Sequence, residues 1–228
     1  MSEPPGDLPG ASLDSAEGTA IPERGWVSGD VSEELRGVGV HYLLIEQGSG
    51  RSPRHVKDRL KVLAGRFSGA QVVNLRHQAI PWAYRVFFRH IGLDPDEQRT
   101  PVEEVALERM RKGGFPSVSL LDDALTIAIA ESGVALRAFD ADKVEGRLGI
   151  RLSEPGEPLE GRPNELPVGT LVIADETRPL ALLFGATGAE RGVSNKTERM
   201  LLCAIQVRGV PDIAVEEALW LAAGVMRS

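Results

Sequence analysis

Between Thr100 and Gly133 the chain carries two helices with their start and stop signals written beside them, and any fold must accommodate that stretch first. Thr100 is a good N-cap, Pro101 suits the first helical position, and Glu103 is placed to reach back and close a capping box. Arg109, Arg111 and Lys112 meet the negative end of the helix dipole, and Gly113–Gly114 stops the helix. A second helix reads from Leu120 to Glu131, apolar except for Asp122, Asp123 and Thr126, and Gly133 ends it. Val134 to Phe139 then reads as an extended segment leading to Asp140, whose side chain suits capping of the next turn. Pro116 to Asp142 is therefore the expected centre of the domain.

The flanks follow from periodicity. Gly37–Glu46 is β-branched and apolar and reads as a buried strand. Pro53–Leu63 has helical spacing, with Val56, Leu60 and Leu63 on one face, and Pro81–Ile91 is a further helix. Strands read at Leu148–Leu152, Thr170–Ala174, Pro179–Phe184 and Met200–Val207. Asp212–Met226 closes as a helix that buries Ile213, Val215, Leu219, Ala222 and Met226. Helices in the middle and strands in the second half argue for an α+β domain and against a regular βαβ alternation. Residues 1–24 are rich in Gly, Pro, Ser and acids with no apolar period, and read as a disordered acidic tail. Residues 25–228 read as one domain.

Composition narrows the function classes. With 42% apolar residues and a mean hydropathy of -0.11, the chain can bury a normal core. No run of apolar residues is long enough for a membrane span, and the N-terminus lacks the basic and apolar regions of a signal peptide. Cys203 is the sole cysteine, which forbids an internal disulfide and a Cys-rich zinc site and agrees with a cytoplasmic location. His41, His55, His77 and His90 show no metal-ligand spacing, so no metal and no cofactor are expected. The tail accounts for about -4 of the net charge of -7, which leaves the domain mildly acidic. Holding nucleic acid through phosphates calls for a basic stripe, and none is written here. No DNA partner is expected, and RNA contact would be local.

No GxGxxG, P-loop, HExxH or GxSxG motif occurs. Gly185–Gly188 reads as an ordinary turn, with phosphate binding as the sharper alternative. Cys203 lies in an apolar run and reads as a small buried hydrophobe, not a nucleophile. Trp82 and Tyr84 read as core aromatics or as platforms for stacked bases.

Three segments taken together resemble one known family. They are FPSVSLLDDALTIAIAESGVALRAFDADKVEGRLGIRLSEPGEPLEG (Phe115–Gly161), GTLVIADETRPLALLFGATG (Gly169–Gly188) and SNKTERMLL (Ser194–Leu202). In this order they resemble the B3/B4 domain of the phenylalanyl-tRNA synthetase beta subunit. The preceding AYRVFFRHIGLDPDEQRTPVEEVALERM resembles the entry to the free-standing form of that domain. The resemblance covers about Tyr84 to Met226. It implies a three-layer α/β sandwich with a cleft between sheet and helices. It also implies binding of the aminoacylated end of tRNA and hydrolysis of tyrosine misattached to the phenylalanine tRNA. Such editing is needed because a phenylalanine pocket that tolerates an added hydroxyl discriminates poorly.

The match at the working positions is partial. Where the family has a Thr-Asn pair after its helix aspartate, Asp122 is followed here by Asp123, and Thr126 alone can fill that role. Arg137 stands where the family has histidine, and Cys203 where it has glutamate. Phe184 and Thr187 stand where its glycine-rich loop has glycines, and Phe184 is expected to fill space that the ester end would occupy. Thr197 matches the family threonine. The groups that read a tyrosine hydroxyl are thus replaced, and Arg137 offers a planar positive fork suited to a carboxylate or phosphate. The bland alternative pairs Arg137 with Asp122, Asp123 or Asp140. The expected substrate-binding set is Asp122, Asp123, Thr126, Arg137, Thr187 and Thr197, with no catalytic residue assigned.

Two functions follow. One is a free-standing B3/B4-like protein that binds an aminoacyl-tRNA end or a related amino-acid ligand, in its enzymatic form an editing deacylase acting in trans and not a synthetase. The other is a non-catalytic RNA- or ligand-binding module that kept the fold and lost the editing residues. A small-molecule hydrolase with no RNA partner is a third. The module predicts a cleft occluded at Phe184 and an ion-paired Arg137. The enzyme predicts an open pocket on which Arg137, Asp122 and Asp123 converge.

Overall fold

A computed structural model describes residues 21–67 and 69–228 of the chain. Its elements run β1 (Glu23–Arg24), β2 (Trp26–Val27), α1 (Gly29–Glu34), β3 (Gly39–Ile45), α2 (Arg54–Arg66), α3 (Gly69–Leu75) and α4 (Ala79–His90). They continue with α5 (Pro101–Lys112), α6 (Leu120–Ser132), β4 (Ala135–Asp140), a 3-10 turn (Ala141–Lys143), β5 (Gly149–Leu152), β6 (Leu171–Ala174), β7 (Pro179–Leu182), β8 (Met200–Gln206) and α7 (Asp212–Arg227). The tail expected over 1–24 lies outside the described residues apart from its last four. Of those, Glu23 and Arg24 pair with Tyr42 and His41 of β3, so strand structure begins ahead of Trp26.

The strands form two sheets, ordered β1-β3-β8-β4 and β2-β5-β6-β7. The first is antiparallel throughout, and the second has one parallel pair, β2 with β5. β3 and β8 are buried along almost their whole length. A strand buried on both faces must lie between two layers. On one side α7 packs on β3 and β8 while α6 packs on β4, and α2 and α5 lie against α6. The second sheet joins the same core through Ile150, Ile173, Leu180 and Ala181. The fold is mixed α and β, as its periodicity predicts.

The expected signals act as written. Glu103 accepts from both the backbone N–H and the hydroxyl of Thr100, which closes the start of α5. Gly113 and Gly133 end α5 and α6 in the left-handed conformation, at φ 70° and 76°. Gly25 is the single residue between the two sheets. A Cβ there would stand 2.4 Å from the Leu148 carbonyl oxygen and 2.5 Å from Val40, so only glycine lets the chain cross at this point. One burial expectation fails. Ile213 is 55% exposed, because it lies two residues, about 200° of helix, before Val215, which fixes the inward face of α7.

Two buried polar anchors fix α4. Arg85 is buried and pairs with Asp96 and Glu103, each at 2.7 Å, clamping α4 to the following loop and to the start of α5. Tyr84 is wholly buried, and its hydroxyl donates to the Ile205 carbonyl at 2.5 Å and accepts from the Ala135 N–H at 3.0 Å. Ala135 and Ile205 are register partners at the end of the β4–β8 ladder, so the hydroxyl is spliced into the sheet. Tyr84→Phe leaves both backbone groups short of a partner in the core. We expect a loss of about 1–3 kcal/mol, read as a lower urea midpoint at unchanged slope. A midpoint equal to that of the parent protein would refute the role given to this hydroxyl.

Candidate functional site

β4 is an edge strand, and this places the site. Its odd residues Ala135, Arg137 and Phe139 turn their backbone groups toward β8, while the even ones turn outward. The N–H of Asp140 accordingly bonds Arg191 C=O on the outer side, and that of Ala141 bonds Arg199 C=O on the β8 side. Over the outer edge stand α5 and the turn after β7. Between them opens a cavity of about 930 Å3, lined by α5 residues that include Glu104, Glu108 and Arg111, by Leu136 and Arg137 of β4, and by Leu183–Gly185.

Arg137 is partly buried in this cavity. Its Nη1 donates to Leu182 C=O at 3.1 Å and its Nη2 to Gly185 C=O at 2.9 Å, so the strand and the turn hold the guanidinium between them. Among the described residues no carboxylate lies within ion-pair distance of it. Burial lowers its pKa. Cys203 is its register partner on β8 and is wholly buried. Burial pushes that thiol up to about 12, against the pull of the neighbouring guanidinium, so it stays protonated and neutral.

The carboxylates expected to join Arg137 are engaged elsewhere. Asp123 is buried and accepts from Ser52 Oγ at 2.6 Å, Ser117 Oγ at 2.5 Å and Val118 N–H at 3.0 Å, which staples two loops to the start of α6. Asp122 accepts from the hydroxyl of Ser119, the N-cap residue. Asp140 accepts from Thr197 Oγ1 at 2.7 Å and from the Asp142 N–H, and so caps its turn. The ion pair read for Arg137 with Asp122, Asp123 or Asp140 is therefore not formed.

The six expected residues do not share one place. Arg137 lines the large cavity. Asp122, Asp123 and Thr126 line a smaller one of about 290 Å3, which shares Glu108, Ile129 and Leu136 with it. Thr197 is tied into the Ser194 turn and Thr187 bridges to Ala181, and neither lines these cavities. Phe184 does not fill the cavity. Its ring turns onto Tyr84, Phe87 and Phe88 of α4, with centroids 6.0, 5.9 and 4.8 Å away, and forms a wall. A neighbouring cavity of about 530 Å3 is lined by the same Gln98, Leu183, Phe184 and Gly185, so the turn after β7 faces both. Trp82 is half exposed with the Arg89 guanidinium 5.9 Å over its ring, whereas Tyr84 is core.

The sequence reading missed the charged face of α5. Glu104, Glu108 and Arg111 recur at helical spacing, which was visible, but nothing in the sequence shows which element that face looks onto. No group of His, Cys, Asp and Glu among the described residues forms a metal site. No helix there is long and apolar enough to cross a membrane.

Comparison with known proteins bears on the same region. The family model described as the B3/4 domain matches residues 83–214. The chain is 32% identical over 163 residues to the phenylalanine–tRNA ligase beta subunit of Legionella pneumophila (strain Lens), an alignment spanning 70% of the chain and 18% of that protein. It is 38% identical over 103 residues to the beta subunit of Vibrio vulnificus (strain YJ016), covering 42% of the chain and 13% of the relative. With the beta subunit of Xanthomonas campestris pv. campestris (strain 8004) it shares 38% over 114 residues, 49% of the chain and 14% of the relative. The chain thus spans only a small part of these relatives.

The neutral Cys203 thiol has a measurable consequence. In the native protein it should resist a disulfide reagent at pH 8, and react fully once the protein is unfolded in guanidinium. Its folded pKa lies above the ordinary 9.0, so its ionisation favours unfolding. Its contribution to stability is held below pH 9 and lost as the pH rises toward 12. Rapid labelling of the folded protein at pH 8 would contradict the burial assigned to it.

Proposed function

The chain belongs to the B3/4 domain family, and from that premise we propose that it binds the aminoacyl end of tRNA, or a related amino-acid ligand, in the cavity between α5, β4 and the turn after β7. One observation carries this. Two segments that lie far apart in sequence and resemble the family meet on one open cavity, Arg137 from the first and Leu183–Gly185 from the second. Its volume of about 930 Å3 lies in the range of small-ligand pockets, roughly 300–1,000 Å3. The relatives' name, phenylalanine–tRNA ligase, supplies the substrate class. A tRNA-directed task also fits a cytoplasmic protein.

A second reading, deacylation in trans, is favoured by the same openness, since Phe184 leaves the cavity free and Arg137 is not ion-paired. Against it stands the chemistry of the lining. It holds no histidine, and the Cys203 thiol behind it is neutral. Hydrolysis there would rely on a bound water and the fixed positive charge of Arg137. We therefore place binding first.

The test uses a panel of tRNAs charged with labelled amino acids. The protein should retain at least one charged tRNA about tenfold better than the same tRNA uncharged. Val105→Trp, which fills the cavity from α5, should abolish that preference. Equal retention of charged and uncharged forms across the panel would sink the proposal. Loss of label with time on the retained species would identify the trans-acting hydrolase, and constant label the binding module.

A further inference from the structure

Three well-covered arginines are matched by carboxylates. Arg85 meets Asp96 and Glu103, Arg151 meets Glu157, and Arg191 meets Glu160. Arg137 differs. Two carbonyls, of Leu182 and Gly185, hold its guanidinium in place, and carbonyls supply dipoles but no countercharge. A guanidinium has five N–H donors and does not give up its proton, so three donors and a full charge remain. Cys203, the register partner of Arg137 across the β4–β8 ladder, is buried and its thiol is neutral, so it supplies no countercharge. Glu97, Glu104 and Glu108 share the cavity lining with Arg99, Arg111 and Lys112, and Glu108 pairs with Lys112, but none is within ion-pair distance of Arg137, so among the described residues its charge is left without a direct partner on an open cavity. Beside it Leu136, the preceding residue of the edge strand, belongs to the same lining.

We infer that the ligand of this cavity carries an anionic oxygen group, a carboxylate or a phosphate, that docks on the guanidinium of Arg137. The inference rests on reading the cavity as an aminoacyl site and narrows what enters it. A guanidinium already fixed by two carbonyls loses little freedom on meeting a planar or tetrahedral anion, and the charge-assisted bonds so formed are the strong kind. The family histidine position would read a neutral hydroxyl, and arginine reads a charge. An aminoacyl ester has spent its α-carboxylate in the ester bond. On a charged tRNA the anion must then come from an acidic side chain or from a phosphate of the terminal nucleotides, and on a free amino acid from the α-carboxylate.

Three probe pairs that differ in this charge separate the sources, measured by calorimetry on the full chain. They are L-glutamate α-methyl ester against L-glutamine α-methyl ester, AMP against adenosine, and L-tyrosine against its methyl ester. In at least one pair the anionic member should bind the parent protein about tenfold tighter, and the pair showing it names the source. Arg137→Met should bring that ratio to near one. Arg137→Lys keeps the charge without the fork and should retain part of it, with melting curves checking that each variant folds. If Arg137→Met does not fold, the lysine variant decides, and an unreduced ratio there overturns the inference. So does the absence of preference for the anion in all three pairs of the parent protein, or a preference that survives in Arg137→Met. Retention of charged tRNA without any anion preference would leave the aminoacyl-site reading standing and remove this one. Anion preference without tRNA retention would do the reverse.

Discussion

A phenol hydroxyl buried in an apolar core must find partners, and Tyr84 finds them by entering the sheet. It takes the N–H of Ala135 and gives to the C=O of Ile205, so helix α4 is bonded to the two strands that form the floor of the cavity. Its ring then serves as one of three edges or faces against Phe184. That anchor ties the start of β4 to α4, and with Phe87 and Phe88 it seats the turn after β7. Arg85, one residue on, clamps the same helix to α5 through Glu103, which also closes the capping box of that helix. The cavity's floor, wall and roof are thus referred to two consecutive residues of α4.

The elements that declare themselves by local chemistry were legible. α5 begins at Pro101 and stops at Gly113, and α6 begins at Leu120, because a cap, a proline and a glycine act within a few residues of the helix they bound. The elements that were missed are made by tertiary contact. β1 and β2 have two residues each and become strands only because β3 and β5 lie beside them. α1 and α3 have six and seven residues, at most about two turns, too short for a period to show.

The site divides in the same way. Arg137 could be picked out because it departs from a family pattern at a recognisable position. That Asp123 would be consumed by Ser52 and Ser117 was not legible, since Ser52 is 71 residues away and nothing near it marks the contact. Nor was the turning of Phe184 onto α4, which depends on three aromatic partners from one helix. Substitutions at a working site were readable as chemistry, while the space they leave had to be seen.

Gly25 has a mechanical meaning. The chain enters through β1 on the edge of one sheet and, one residue later, continues as β2 on the edge of the other. A load applied to the segment ahead of Glu23 is therefore handed first to the antiparallel pair with β3 and then, through one residue, to the parallel pair with β5. The entry segment works as a rivet through both sheets, held to one by β3 and to the other by β5.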